Sequence, residues 1–205
     1  FSYGDYFRTG AIARFSPIMR ALRDFADAGG PVLGICNGFQ ILCEAGLLPG
    51  ALVRNRSLSF VCRDTTLRVE NVANPFTNLA VVGDVWRIPV KHGEGCYVAD
   101  EATLDQLERN GQILLRYCRS DGTRIRAAGE DDLYNPNGAL RDVAGVMSAG
   151  RNVFGLMPHP EHAADPILWR VSRPGAPEPD GLKIFRSISR WLSDAREERA
   201  VESQR

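Results

Sequence analysis

The chain has 205 residues, enough for one domain with a sizeable core, and its 44% hydrophobic and 24% charged content is that of an ordinary globular protein. Its 25 Lys and Arg balance 25 Asp and Glu, so the formal net charge is +0 and nothing marks nucleic acid as a partner. No apolar run approaches the roughly 18 residues that span a bilayer, and no charged start with an apolar stretch behind it suggests export, so a cytoplasmic protein is expected.

In chain order, Ser16-Pro17 reads as an N-cap with proline at the first helical position, followed by a helix with Ile18, Leu22 and Phe25 on its apolar face and Gly29-Gly30 at its end. "PVLGI" (31–35) is a short apolar run of the kind a buried strand shows, and "GFQILCEAG" (38–46) follows as a helix closed by Gly46. Helix, buried strand and helix in succession predict a parallel sheet covered on both faces. "TTLRVE" and "VWRIPV" alternate as strands do, "GQILLRYC" is another, and "DVAGVMSAGRNVFGLMP" reads as two strands joined at Gly-Arg-Asn. "YNPNGALRD" and "VSRPGAPEPDG" read as turn-rich loops. The last helix is "GLKIFRSISRWLSDAREER", with Ile184, Ile188, Trp191 and Leu192 on one face, and residues 196–205 read as a frayed charged tail beyond a single domain over 1–195.

Five cysteines (Cys36, Cys43, Cys62, Cys96, Cys118) show no C-x-x-C and no zinc-like pairing, so neither a disulfide framework nor a structural metal is expected. Four of them read as small buried hydrophobes. Cys36 differs, because Gly34-Ile35-Cys36-Asn37-Gly38 is the thiol form of the G-x-S-x-G nucleophile elbow. A sharp strand-to-helix turn lifts the nucleophile out of the sheet, flanking glycines clear the bend, and the helix N-terminus faces the reacting atom. That end is expected to lower the thiol pKa, with the Asn37 N–H as oxyanion donor.

A cysteine nucleophile needs a base, and the chain has three histidines. His92-Gly93-Glu94 and His159-Pro160-Glu161 both follow strand-like runs, and in extended backbone residues i and i+2 share a side, so either glutamate could orient its histidine. Pro158 and Pro160 stiffen the second pair while Gly93 leaves the first loose, which favours His159 as base and Glu161 as its orienting carboxylate.

"GICNGFQIL", "HGEG" and "MPHPE", with "FSYGDYFRTGAIARFSPIM" at the start and "GLLPGALVRN" after the elbow helix, together resemble the class I (triad) glutamine amidotransferases. Among these they are most similar to the family of glutaminase subunits of phosphoribosylformylglycinamidine synthase. The resemblance runs from Phe1 to the last helix. It implies an α/β, flavodoxin-like, three-layer fold with a mainly parallel central sheet. It also implies a Cys36–His159–Glu161 triad, Gln40 holding the substrate one helical turn past the cysteine, and His92 in the glutamine pocket. His162 receives no role. The implied substrate is L-glutamine, and the implied partners are a large synthase subunit and a small third subunit. ATP and Mg are expected in the synthase partner, since no G-x-x-x-x-G-K-[ST] occurs here.

The resemblance further implies a Pro-Gly-Gly turn ahead of the segment matching Phe1, supplying a second oxyanion donor, with the first strand, helix and next strands of the fold. The sequence starts at Phe1, so the first elements are expected to be missing from it. Two other readings stand beside the glutaminase: a catalytically silent scaffold that docks the synthase, and a thiol hydrolase acting on esters or γ-glutamyl peptides.

Overall fold

The computed structural model describes residues 10–125, 131–167 and 178–202. The opening "FSYGDYFRT" and most of "VSRPGAPEPDG" lie outside the described residues. Among the described residues the chain runs α1 (Gly10–Ala13), α2 (Ile18–Asp27), β1 (Val32–Ile35), α3 (Asn37–Glu44), β2 (Ala51–Val53), β3 (Val61–Val69), β4 (Val85–His92), β5 (Cys96–Val98), α4 (Glu101–Arg109), β6 (Ile113–Tyr117), α5 (Asp131–Tyr134), β7 (Val143–Met147), β8 (Val153–Leu156) and α6 (Asp180–Glu202).

The main sheet has the order β1-β8-β7-β6-β3-β4, and a small second sheet pairs β2 with β5. β1 and β8 run parallel, with Ile35 opposite Leu156, as the buried run "PVLGI" predicts. The other neighbours, β8–β7, β7–β6, β6–β3 and β3–β4, run antiparallel. The α/β class therefore holds, but the sheet is mixed, and the mainly parallel arrangement does not appear among the described residues. The reason lies in the connections. β3 reaches β4 and β7 reaches β8 without an intervening helix, and a parallel neighbour needs a crossover of a dozen or more residues, usually helical.

Three layers are nonetheless present. Along β8, Gly155 faces Phe39 of α3, while the adjacent Phe154 packs tilted against Phe76 with ring centroids 5.2 Å apart. Successive strand residues point to opposite faces, so these neighbours lie on opposite sides of the sheet. The segment around Phe76 is tied in turn to α6, where Asn78 Nδ2 donates to Ser187 O at 3.0 Å. Phe39, Phe76, Phe154, Trp86 and Tyr117 fill the space between the layers.

Several local expectations change. Pro17, not Ser16, occupies the cap position of α2 and no side chain caps it; Met19 and Ala26 face the core, leaving Ile18 67% and Phe25 50% exposed. The helix meets the core through the stripe of small and flexible residues at 19 and 26, one i, i+7 step apart, and the bulkier stripe at 18 and 25 turns outward. α4 has no counterpart in the sequence reading, although its signals are present: Asp100 accepts from Thr103 N–H at 2.7 Å, and Arg109 lies in the last turn. Cys62 is exposed on β3, not buried. α6 continues to Glu202, so the residues expected as a frayed tail from 196 are helical that far. Of its expected apolar face Ile184 is buried, whereas Leu192 is exposed.

Candidate active site

Cys36 sits between the last residue of β1 and the first of α3 with φ 51° and ψ −106°. That backbone geometry is costly for a residue with a side chain, and it persists only where the surroundings hold it. The hold is visible on both sides. Cys36 N–H donates to Leu156 O at 2.8 Å, continuing the β1–β8 ladder, and Cys36 O accepts from Gln40 N–H at 3.2 Å, opening the helix. Close approach explains the glycine before it: a Cβ on Gly34 would lie 2.8 Å from the Gly38 carbonyl carbon and oxygen. The bend expected of a nucleophile elbow is thus the bend found, and the thiol, though only 4% exposed, lies at the N-terminus of α3.

β4 brings His159 and Cys36 to the same stretch of strand. Pro89 O accepts His159 N–H at 2.8 Å, and Lys91 O, two residues on, lies 3.8 Å from Cys36 Sγ. Two residues of strand span about 7 Å, so His159 and Cys36 hang from the same short stretch of one edge strand. His159 itself follows β8, and Pro160 starts the 3-10 turn Pro160–Ala163 directly after it. The turn swings Glu161 back so that Oε1 lies 2.5 Å from His159 Nδ1. An ionised carboxylate only accepts, so Nδ1 carries a proton, and in the neutral ring Nε2 is then the nitrogen with the lone pair that a general base requires. Burial works to raise the Glu161 carboxyl, but the hydrogen bond to His159 and its charge outweigh it, and the net displacement is downward. Glu161 therefore stays ionised and keeps accepting.

The other H-x-E pair does not form. His92 ends β4, and its Nε2 lies 3.1 Å from Asn137 Nδ2, while the Glu94 carboxylate faces exposed Arg54 at 3.8 Å. Gln40, buried on α3, donates from Nε2 to Glu94 O at 2.7 Å and so ties the elbow helix to the 92–95 loop. His162 lies 3.6 Å from Glu161 Oε1, and its ring centroid is 5.4 Å from that of His159. Burial and the charge of Lys91 lower its pKa against the pull of Glu161. Donor atoms of His159, Glu161 and His162 come within 4.8 Å of one another, the grouping among the described residues that could hold a metal ion. The shortest contact in it is already the His159–Glu161 hydrogen bond, which suits acid–base chemistry.

Three residues around this site escaped the sequence reading. Asn55 is buried, donates to His92 O at 2.8 Å and accepts Gly95 N–H at 3.0 Å, fixing both ends of the loop. Asn137 and Tyr117 are joined at 3.0 Å beside the His92 ring. "YNPNGALRD" reads as a turn-rich loop, yet Asn135, Asn137 and Ala139 are buried. A buried asparagine and one in an exposed turn look alike in sequence, since only the partners differ.

Burial, and second the charge of His159, push the His92 pKa down to about 3. The unfolded residue takes a proton near pH 6.5, so between about pH 6.5 and 3 the unfolded chain binds more protons than the native one at this site. Stability falls as pH drops through that window, by at most about 1.4 kcal/mol per pH unit from this residue. Urea unfolding from about pH 7 down to pH 5 is expected to show a shallower loss in His92→Gln than in the unsubstituted chain. Equal slopes would mean that His92 takes its proton without unfolding.

The chain is 55% identical over 188 residues to the phosphoribosylformylglycinamidine synthase subunit PurQ of Gloeobacter violaceus, covering 92% of this chain and 75% of that protein. To the same-named subunit of Moorella thermoacetica it is 55% identical over 191 residues, covering 93% and 75%. Among solved structures it superimposes on a chain of PurLQS from Thermotoga maritima with a TM-score of 0.73 and 39% identity, over 94% of this chain and 76% of that one. Residues 1–192 match the CobB/CobQ-like glutamine amidotransferase domain, and with an elbow cysteine and a His–Glu pair set on one sheet edge, the chain belongs to that family.

Proposed function

We propose that the chain is the glutaminase subunit of phosphoribosylformylglycinamidine synthase, working with a large synthase subunit and a small third subunit in purine biosynthesis. Its relatives at 55% identity carry that subunit's name. The observation that carries the chemistry is the joint placement of Cys36 and the His159–Glu161 pair along Pro89–Lys91.

The steps follow from the groups present. His159 Nε2 takes the Cys36 proton, and the thiolate attacks the side-chain carboxamide carbon of L-glutamine. The Asn37 N–H at the start of α3 stabilises the oxyanion. The imidazolium, steadied by Glu161, returns its proton to the leaving nitrogen, which departs as ammonia. A γ-glutamyl thioester remains on Cys36. His159 then takes a proton from water, hydroxide adds to the thioester carbon, and glutamate leaves as the thiol re-forms. Each bond made or broken is served by a side chain of this subunit without a cofactor. Ammonia passes to the synthase subunit, where ATP and Mg²⁺ act in converting formylglycinamide ribonucleotide to formylglycinamidine ribonucleotide.

The unmatched polar groups of the site suit an amino acid. Gln40 Oε1 and His92 Nδ1 are buried and have no hydrogen-bond partner among the described residues. Gln40 Oε1 can only accept, and glutamine offers N–H donors as well as oxygens to fill both positions. No helix among the described residues is long and apolar enough to cross a membrane, in keeping with a cytoplasmic site for this pathway.

The test is to assay the chain with its synthase partner on L-glutamine, a γ-glutamyl dipeptide and a p-nitrophenyl ester. Glutamine is expected to be hydrolysed at least about tenfold more efficiently in kcat/KM than either alternative. Preference for the ester or the dipeptide would replace the glutaminase reading with that of a general thiol hydrolase, and inertness toward all three would leave a docking scaffold.

A further inference from the structure

We propose that Asn137 is a positioning residue for glutamine binding, one that locks His92 in the Nδ1–H tautomer so that this buried N–H meets an oxygen of the substrate. The proposal rests on the glutaminase reading and deepens it.

The orientation of the Asn137 amide is set by the backbone. Ala139 N–H donates to Asn137 Oδ1 at 3.0 Å, and a flipped amide would place its NH₂ against that N–H, donor against donor. Nδ2 therefore points the other way, and its two hydrogens have two acceptors: Tyr117 Oη at 3.0 Å and His92 Nε2 at 3.1 Å. Once Nε2 receives a hydrogen bond it must hold a lone pair, and a neutral imidazole then carries its proton on Nδ1.

The framework leaves no slack for another arrangement. Asn137 is buried, and its carbonyl accepts Arg56 N–H at 3.0 Å, which fixes the loop from outside. Gly95 also lies against the imidazole: a Cβ there would come within 2.1 Å of Cδ2 and 2.2 Å of Nε2, the nitrogen that meets Asn137, so any side chain at 95 would push the ring off Asn137. Asn55 holds the His92 carbonyl, so the backbone cannot turn to carry the ring away. Nδ1 is then a donor without a partner among the described residues in a side chain only 2% exposed. A buried donor left unmatched costs free energy, and an oxygen of bound glutamine repays it.

The same geometry explains why the two H-x-E pairs differ in use. In the triad a carboxylate forces the proton to the nitrogen beside it and leaves a basic nitrogen outward. At His92 an amide N–H forces the lone pair inward and leaves a donor.

Asn137→Asp tests this with little change of shape, because the carboxylate keeps the bond from Ala139 N–H but can only accept from the ring. In the full chain labelled with ¹⁵N-histidine, long-range ¹H–¹⁵N correlations are expected to show His92 as Nδ1–H in the unsubstituted protein and as Nε2–H in Asn137→Asp. With the synthase partner present, KM for glutamine is expected to rise about tenfold or more in Asn137→Asp, with kcat within a few-fold. Tyr117→Phe, which removes the other acceptor of the amide but not its bond to His92, is expected to keep Nδ1–H and a near-normal KM. Nε2–H in the unsubstituted chain overturns the proposal even if Asn137→Asp does not fold. So does a rise in KM in Tyr117→Phe equal to that in Asn137→Asp with the tautomer unchanged, which would mark a merely structural loop. A chain that shows Nδ1–H but never turns over glutamine removes the glutaminase reading, and with it the substrate role assigned to this donor.

Discussion

Cys36→Ala is expected to abolish glutamine-dependent amidine synthesis in the assembled synthase while synthesis from added ammonium proceeds at its normal rate. Removing the nucleophile leaves nothing to form the thioester, and losing the nucleophile of a catalytic triad lowers turnover by roughly 10⁶-fold. In the proposed reaction ammonium bypasses that step, because the ATP-dependent chemistry is assigned to the partner. Alanine is a suitable replacement for a physical reason. Position 36 has φ 51°, a strain that cysteine already bears, so alanine adds no new backbone cost, and the ladder bond from its N–H to Leu156 O is kept. The side chain removed is small and buried, so thermal unfolding should move by only a few degrees. Parallel loss of both activities would place Cys36 in folding or docking, and retention of both would remove it from the chemistry.

The local geometry of the candidate site was more legible than the pairing of the sheet. Cys36, His159 and Glu161 were readable because each sits in a short motif whose geometry is local: glycines at an elbow, and a proline between a histidine and its carboxylate. The distance of 2.5 Å between His159 and Glu161 is the outcome of three adjacent residues. β1, α3 and the β7–β8 turn were readable for the same reason. The antiparallel order of the sheet was not, since strand direction follows from how distant segments are connected. The outward turn of Ile18 and Phe25 was hidden too, because periodicity marks an apolar face without saying which stripe finds a partner. Least visible were Asn55, Asn137 and Tyr117. Their importance lies in hydrogen bonds spanning 20 to 45 residues of sequence, and no local pattern encodes those partners.

His159→Ala and His92→Ala are expected to fail in different ways. In the proposed mechanism His159 Nε2 takes the thiol proton, since Glu161 holds the proton of the neutral ring on Nδ1. Without it neither the attack nor the departure of ammonia is assisted, and kcat for glutaminase should fall by about 10²–10⁴, the usual worth of a positioned acid–base group. KM should change little, because binding is left in place. His92 is held neutral by burial, with a pKa of about 3, and its Nε2 is occupied by Asn137, so it cannot serve as a base near neutral pH. Its loss should appear as a rise in KM of roughly tenfold, with kcat within a few-fold. Both residues are buried, so each variant needs a thermal unfolding curve beside the kinetics, and His159→Gln serves as a larger replacement if alanine leaves too great a cavity. Ammonium-dependent synthesis should survive in both. A fall in kcat at His92 with a rise in KM at His159 would exchange the two roles, and would mean that the 2.5 Å contact between His159 and Glu161 serves the fold instead of the reaction.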